Sequence, residues 1–233
     1  MQLSPQTLKV LQNFQSINTS LIVKAGNNLQ SNSTAGLRAY AVNLEDTFPN
    51  DFAIYDFKGF MSLLKLVGKD ADLTFNLDHV LCKNGNKSIK YYYSSPDVIQ
   101  TLKPTPKFEA NTNNDLEFTL SPEDLKSLLS AASAIDTSFV SINSNDKGSW
   151  ISTWDEVSGN MNSYNQNLAM AVADESNTFM FVVSVQSLKN LVPDTYIVKL
   201  DKRGIIKFEG SDCLTYYIGA EKDHSLLNDR KIT

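Results

Sequence analysis

Cysteine and histidine are both scarce: the 233 residues contain two of each, Cys82 and Cys213, His79 and His224. No CxxC or Cys/His spacing is present, so neither a zinc site nor a redox motif is indicated, and both cysteines read as small core or sheet residues within strand-like stretches. Neither histidine sits in a nucleophile or metal motif, which leaves a Ser/His/Asp hydrolase or a His-ligated metal enzyme without support. Glycine-rich phosphate loops of the GxxxxGKS/T or GxGxxG type are also missing. No apolar run, Phe179 to Val183 among them, approaches the ~18 residues needed to cross a bilayer. The N-terminus lacks the basic and apolar regions of a signal peptide, so a soluble, intracellular protein with no membrane partner is expected. No catalytic group, metal or cofactor is expected.

Excess positive charge is missing too. The formal net charge is −5 and the isoelectric point about 5.1, which argues against holding duplex DNA by bulk electrostatic affinity. The acids are unevenly placed, however. None occurs before Glu45, whereas Lys9, Lys24 and Arg38 all fall in that stretch. An acidic chain with a segregated basic surface is a candidate DNA partner.

What is present is an internal repeat. The nine residues Leu3-Ser4-Pro5-Gln6-Thr7-Leu8-Lys9-Val10-Leu11 recur 117 positions later, half the chain length, as Leu120-Ser121-Pro122-Glu123-Asp124-Leu125-Lys126-Ser127-Leu128. Ser4 and Ser121 suit helix N-caps, because the hydroxyl accepts from a first-turn N–H, and Pro5 and Pro122 stand where a missing N–H costs nothing. Each half continues with a shorter amphipathic segment. These are Phe57 to Val67, capped by Asp56, and Val185 to Leu191, capped by Ser184. Alternating strands follow: Asp72 to Leu77, Val80 to Lys83 and Ile89 to Tyr93 in the first half, with Asn84-Gly85 as a tight turn. In the second half they are Tyr196 to Leu200, Ile205 to Phe208 and Leu214 to Ile218, with Gly204 and Gly210 at the turns. The pattern predicts an α+β fold of two similar domains, each made of two βαβββ units. The boundaries are 1–110, including an extended connector over 96–110 that holds Pro104 and Pro106, and 111–233.

Helical geometry then assigns faces. The first helix turns Leu8, Val10, Leu11, Phe14 and Ile17 inward and Gln6, Lys9, Asn13 and Ser16 outward. The second buries Phe57, Phe60, Leu63, Leu64 and Val67 and exposes Lys58, Ser62 and Lys65. The third buries Leu125, Leu128, Leu129 and Ala132 opposite Lys126, Ser130 and Ser133. The fourth buries Val185, Leu188 and Leu191 opposite Gln186 and Lys189. Solvated helix faces ordinarily carry both signs of charge in i,i+4 pairs. Here the outward faces lack acidic neighbours in a net-acidic protein, and Lys9 and Lys126 occupy the same repeat position. Lys9, Lys58, Lys65, Lys126 and Lys189 are therefore the candidate DNA-facing residues.

Leu3-Ser4, Thr7, Leu11, Asn13-Phe14 and Ile17-Asn18 resemble the opening helix of the sliding clamps of T-even bacteriophages. Ala53-Ile54-Tyr55-Asp56, Gly59-Phe60, Leu66-Val67 and Asp70-Ala71 resemble that family's second helix and the adjoining strands. Asn177-Thr178-Phe179, Phe181, Pro193, Tyr196 and Lys207-Phe208-Glu209-Gly210 follow in family order, so the similarity spans almost the whole chain. It departs from the family in Gly148 to Gln166 and after Asp223. The resemblance implies the DNA clamp fold and a homotrimer that closes into a ring, with helices lining the hole and sheets outside. It further implies an ATP-driven clamp loader, a replicative DNA polymerase and late transcription factors as partners, in the cytoplasm of an infected bacterial host. By the same analogy a partner pocket is placed near Phe108, with Tyr40 and Ile218.

Ring geometry is compatible with this. A half-chain domain has an outer radius of roughly 17 Å, and six set about 30 Å apart leave a hole of roughly 26 Å, wide enough for duplex DNA. Two other readings use the same sequence: a single-stranded nucleic-acid binding module with Tyr91-Tyr92-Tyr93 and Tyr216-Tyr217 as stacking platforms, and a viral structural protein of duplicated β-domains.

Overall fold

The computed structural model describes residues 1–99, 116–155, 162–168, 171–172, 178–201, 203–228 and 230–231. It divides into two units: unit 1 is Met1–Thr34 with Arg38–Pro104, and unit 2 is Ala35–Leu37 with Thr105–Thr233. The start of the expected connector is not extended, because Pro96–Val98 forms a 3-10 turn capped by Ser95. Residues 100–110 of that connector, Phe108 included, lie outside the described residues.

Unit 1 runs α1 (Pro5–Ile17), β1 (Leu21–Val23), β2 (Leu29–Asn32), β3 (Leu37–Ala41), β4 (Phe52–Ile54), α2 (Phe57–Val67), β5 (Asp72–Phe75), β6 (His79–Asn84) and β7 (Lys87–Tyr92). The Ser4 side chain accepts from Thr7 N and starts α1. Asp56 does the same for α2 by accepting from Gly59 N at 2.8 Å, where a Cβ would collide with the capping carboxylate. The residues before α1 run along β5, since Met1 N donates to Leu73 O at 2.8 Å and Leu73 N donates back to Met1 O. This pair of bonds lies where a βαβββ-like unit would have its leading strand, although among the described residues no strand precedes α1. Strands β5, β6 and β7 form an antiparallel meander. Its tight turn is Gly85-Asn86, one residue later than the spacing suggested. Asn84 pairs with Lys87, and the positive φ of 57° falls on the glycine, which has no Cβ to oppose it.

The helix faces are wider than simple stripes. Asn13, expected outside, is buried with Val10, Leu11, Phe14 and Ile17, while Leu8 is only half-buried. α1 packs against both α2 and β2, so its buried arc exceeds that of a helix lying on one surface. On α2, Met61 joins Phe57, Phe60, Leu64 and Val67 in the core, and Leu63 is half-buried. Of the Tyr91–Tyr93 run, Tyr91 meets Phe60 edge-on at 5.1 Å and Tyr93 stacks on Phe52 at 4.9 Å. Burial raises the Tyr93 hydroxyl to about 12, and Tyr92 alone of the three is exposed.

Unit 2 runs β8 (Leu116–Leu120), α3 (Pro122–Ile135), β9 (Phe139–Asn145), β10 (Gly148–Trp154), β11 (Asn165–Leu168), β12 (Ala171–Val172), β13 (Phe179–Ser184), α4 (Val185–Leu188), β14 (Tyr196–Asp201), β15 (Ile205–Glu209), β16 (Leu214–Gly219), β17 (Leu226–Leu227) and β18 (Arg230–Lys231). One antiparallel sheet has the order β11-β10-β9-β13-β17-β18, and a second contains β12-β8-β14-β15-β16. Ser121 caps α3 by accepting from Asp124 N at 3.1 Å, repeating the Ser4 geometry. α4 is a single turn, shorter than expected. It passes into i→i+3 bonds from Asn190 to Ser187 and from Leu191 to Leu188, because Pro193 prevents the helix from continuing.

The core of unit 2 holds Tyr196, Tyr216, Phe208 and Phe181, all fully buried. Burial pushes both tyrosine hydroxyls above their usual range. Tyr216 thus offers no stacking surface, and Tyr217 is half-buried. Cys82 lies within β6 and is 2% exposed. Cys213 is in the bend before β16, not in a strand. One serine of the Gly148 to Gln166 stretch has a clear structural use. Ser152 on β10 bonds Ser141 on β9 at 2.9 Å, and the Asn143 amide donates to both hydroxyls. The segment after Asp223 extends the sheet, with β17 paired to β13.

Glu209 accepts from Lys199 at 2.8 Å and Lys207 at 2.6 Å, and these two bonds hold its carboxyl below the usual range. A depressed carboxylate stabilises the fold above its unfolded pKa, and the contribution is lost as pH falls through the folded value. With a side chain about one-third exposed, Glu209→Gln should cost about 1 kcal/mol or less at neutral pH after solvent screening. Paired urea melts should show that difference shrinking as pH falls below the ordinary glutamate range.

Candidate nucleic-acid interface

All five lysines singled out from the sequence are exposed. Lys9 is on α1, Lys58 and Lys65 on α2, Lys126 on α3, and Lys189 is the C-cap of α4. Among the described residues none of the five lies within 4.0 Å of a carboxylate, whereas Lys24, Lys199 and Lys207 all do. The helix lysines are thus available to an external anion, while paired lysines occur elsewhere.

In unit 2 the structure brings two of them together. A groove of about 890 Å³ along α3 and α4 is lined by Lys126 and Lys189, with Ser130, Ser133 and the single carboxylate Glu123. In unit 1 a groove of about 720 Å³ at the start of α1 is lined by Lys9, Gln12 and Lys69, and by Glu45, Asp46 and Asp70. A smaller cavity of about 250 Å³ between α1 and α2 is apolar. Leu3, Leu8, Met61, Leu64, Ala71 and Leu73 line it, together with Lys65, Lys69 and Gln12. This cavity explains why Leu8 is only half-buried. Lys58 lines none of the three.

Two features differ from the sequence reading. Lys69 joins the basic set; it follows α2 in a turn, outside the periodic pattern, and its spacing of four from Lys65 was the available signal. The polar face of α1 also has acidic neighbours after all. Asp46 accepts from Ser4 N at 2.7 Å, and Glu45 N donates to the Gln6 side chain at 3.1 Å. These contacts join positions about forty residues apart, beyond any helical periodicity.

Of the partner-pocket candidates, Tyr40 on β3 is half-buried. Ile218 on β16 is 1% exposed and pairs with buried Ile206, so it packs in the core. Neither lines the grooves above, and Phe108 is outside the described residues.

Sheet edges complete the geometry. Among the described residues β7 has no partner beyond β6 and β11 none beyond β10. Tyr93 N donates to Asp78 O, so alternation along β7 turns the N–H groups of Ser88, Lys90 and Tyr92 outward. Thr153 N donates to Tyr164 O, and the same alternation turns those of Asn165 and Asn167 outward from β11.

A family model described as DNA polymerase processivity factor matches residues 4–102. The sliding clamp of Vibrio phage KVP40 is 25% identical over 222 residues, covering 95% of this chain and 99% of the relative. The sliding clamp of Enterobacteria phage T4 is 27% identical over 229 residues, covering 96% and 98%. The chain matches the DNA polymerase sliding-clamp family. Among solved structures, the clamp chain in the complex of A. fulgidus PCNA with the C-terminal region of FEN-1 superposes with a TM-score of 0.67. It covers 94% of this chain and 96% of that one at 13% identity, which shows the DNA clamp fold. Sliding clamps are non-catalytic scaffolds.

Proposed function

We propose that three copies of this chain close into a ring around duplex DNA and tether a replicative polymerase during synthesis. The observation that carries this reading is the set of exposed helix lysines without carboxylate partners, present in both repeats of a chain that matches sliding clamps end to end. Lys9, Lys58, Lys65, Lys126 and Lys189 face the duplex, and Ser, Asn and Gln between them give a smooth, sequence-independent potential. Retention is topological, so few phosphate contacts are needed, and the net charge of −5 is no obstacle. Open edges at β7 and β11 support the closure of the homotrimer, one copy's unit 1 edge adding to the next copy's unit 2 edge. The domain boundary near residue 110 and Tyr40 as part of a polymerase-docking surface belong to the same reading. An ATP-driven clamp loader, late transcription factors and the cytoplasm of an infected bacterial host come to it through the resemblance alone.

The test is polymerase extension on a primed circle with loader and ATP. The parent should lengthen products, and Lys9→Glu combined with Lys126→Glu should shorten them while native mass is unchanged, since exposed substitutions usually alter stability by ~0.5 kcal/mol or less. Parent-like products from the double variant at moderate salt would remove these lysines from the DNA face.

A further inference from the structure

Lys9 and Lys126 share a repeat position, yet their surroundings differ in charge. The groove at Lys126 holds two lysines, Lys126 and Lys189, against one carboxylate, Glu123. Glu123 lies in the first turn of α3, where the helix dipole partly offsets its charge. The groove at Lys9 holds two lysines, Lys9 and Lys69, against three carboxylates, Glu45, Asp46 and Asp70. Asp46 is engaged, accepting from Ser4 N. Glu45 and Asp70 are exposed and make no ion pair with Lys9 or Lys69 among the described residues. A phosphate approaching Lys9 therefore meets a locally negative groove, and one approaching Lys126 a locally positive one.

We infer that the two repeats are unequal DNA faces: the α3–α4 groove is the principal phosphate seat, and Glu45 and Asp70 screen Lys9 so that the α1 groove holds DNA only loosely. This rests on the reading that the helix faces meet duplex DNA inside a ring. The potential around the hole then has threefold rather than sixfold character. The carboxylates of the α1 groove limit how firmly the duplex is held, because their repulsion of a phosphate offsets part of the pull of Lys9 and Lys69. Sequence equivalence between Lys9 and Lys126 does not carry over into function, because what sets each lysine's pull is the charge that the tertiary structure places beside it.

The experiment compares Lys9→Ala, Lys126→Ala and the pair Glu45→Gln with Asp70→Asn, each as the intact assembly. The readouts are affinity for a short linear duplex across a salt series and one-dimensional diffusion after loading on a circle. Lys126→Ala should lower affinity about fivefold at low salt and flatten the salt slope, and Lys9→Ala less than about twofold. The carboxamide pair should raise affinity about fivefold, slow diffusion, and make a subsequent Lys9→Ala as costly as Lys126→Ala. Equal costs for the two lysines in the parent background, or no gain from the carboxamide pair, would overturn the inference while leaving the ring intact if the parent is still retained on closed circles. A parent that is not retained on closed circles would overturn the ring reading and this inference together.

Discussion

Once loaded onto a nicked circle, the assembly is expected to remain until the circle is cut and then to leave at once. A closed ring escapes only by opening an interface between copies, so its lifetime reflects that opening and not the strength of phosphate contacts. On linear DNA the same protein has free ends to slide from. A net charge of −5 and a few lysines per copy give weak, salt-sensitive direct affinity. The measurement is retention at moderate salt before and after a restriction enzyme linearises the circle, with loader and ATP removed. Cutting should speed dissociation on the order of 100-fold, and bulky roadblocks at both ends should restore retention. Raising salt should shorten residence on linear DNA steeply and on the closed circle only slightly. Equal loss from cut and uncut circles would remove topological linkage, and with it the proposed function.

Proline at the outward-facing donor positions should take the proposed ring apart. Lys90 on β7 and Asn167 on β11 each aim an N–H away from their own sheet, as the Tyr93 to Asp78 and Thr153 to Tyr164 bonds fix the alternation. Lys90→Pro or Asn167→Pro leaves the inward hydrogen bonds of the home sheet in place, which is why edge strands tolerate proline. Each removes an outward donor and sets a pyrrolidine ring against the neighbouring strand, a loss of ~3 kcal/mol once that strand is paired, or roughly a hundredfold in each contact between copies. Native mass should fall from about three times the 25.9 kDa of the chain to that of the single chain. Circular dichroism should stay at the parent level, and Lys90→Ala, which keeps the donor, should remain trimeric. A trimer that survives both prolines would place the contact between copies elsewhere.

Much of this fold is legible locally. Ser4, Asp56, Ser121 and Ser184 cap their helices as the sequence predicts, because an N-cap is decided by one side chain and an N–H two or three residues away. The strands β5 to β7 and β14 to β16 follow the two-residue alternation to within about two residues at their ends. Exposure of Lys9, Lys58, Lys65, Lys126 and Lys189 follows from the 3.6-residue period.

The rest depended on contacts remote in sequence. Asn13 is buried because α1 has two neighbours, which its own periodicity does not record. Cys213 and Ile218 lie five residues apart around and within β16, and only the sheet decides that one sits in a bend and the other in the core. Lys69, Glu45 and Asp70 come beside Lys9 only because the segment after β3 and the turn after α2 both return to the first turns of α1. Caps, periods and the 117-residue repeat are short-range or self-similar patterns, so the sequence by itself determined them. The charge a phosphate would meet at each helix is a sum over groups drawn together from distant positions, and only the tertiary structure decided it.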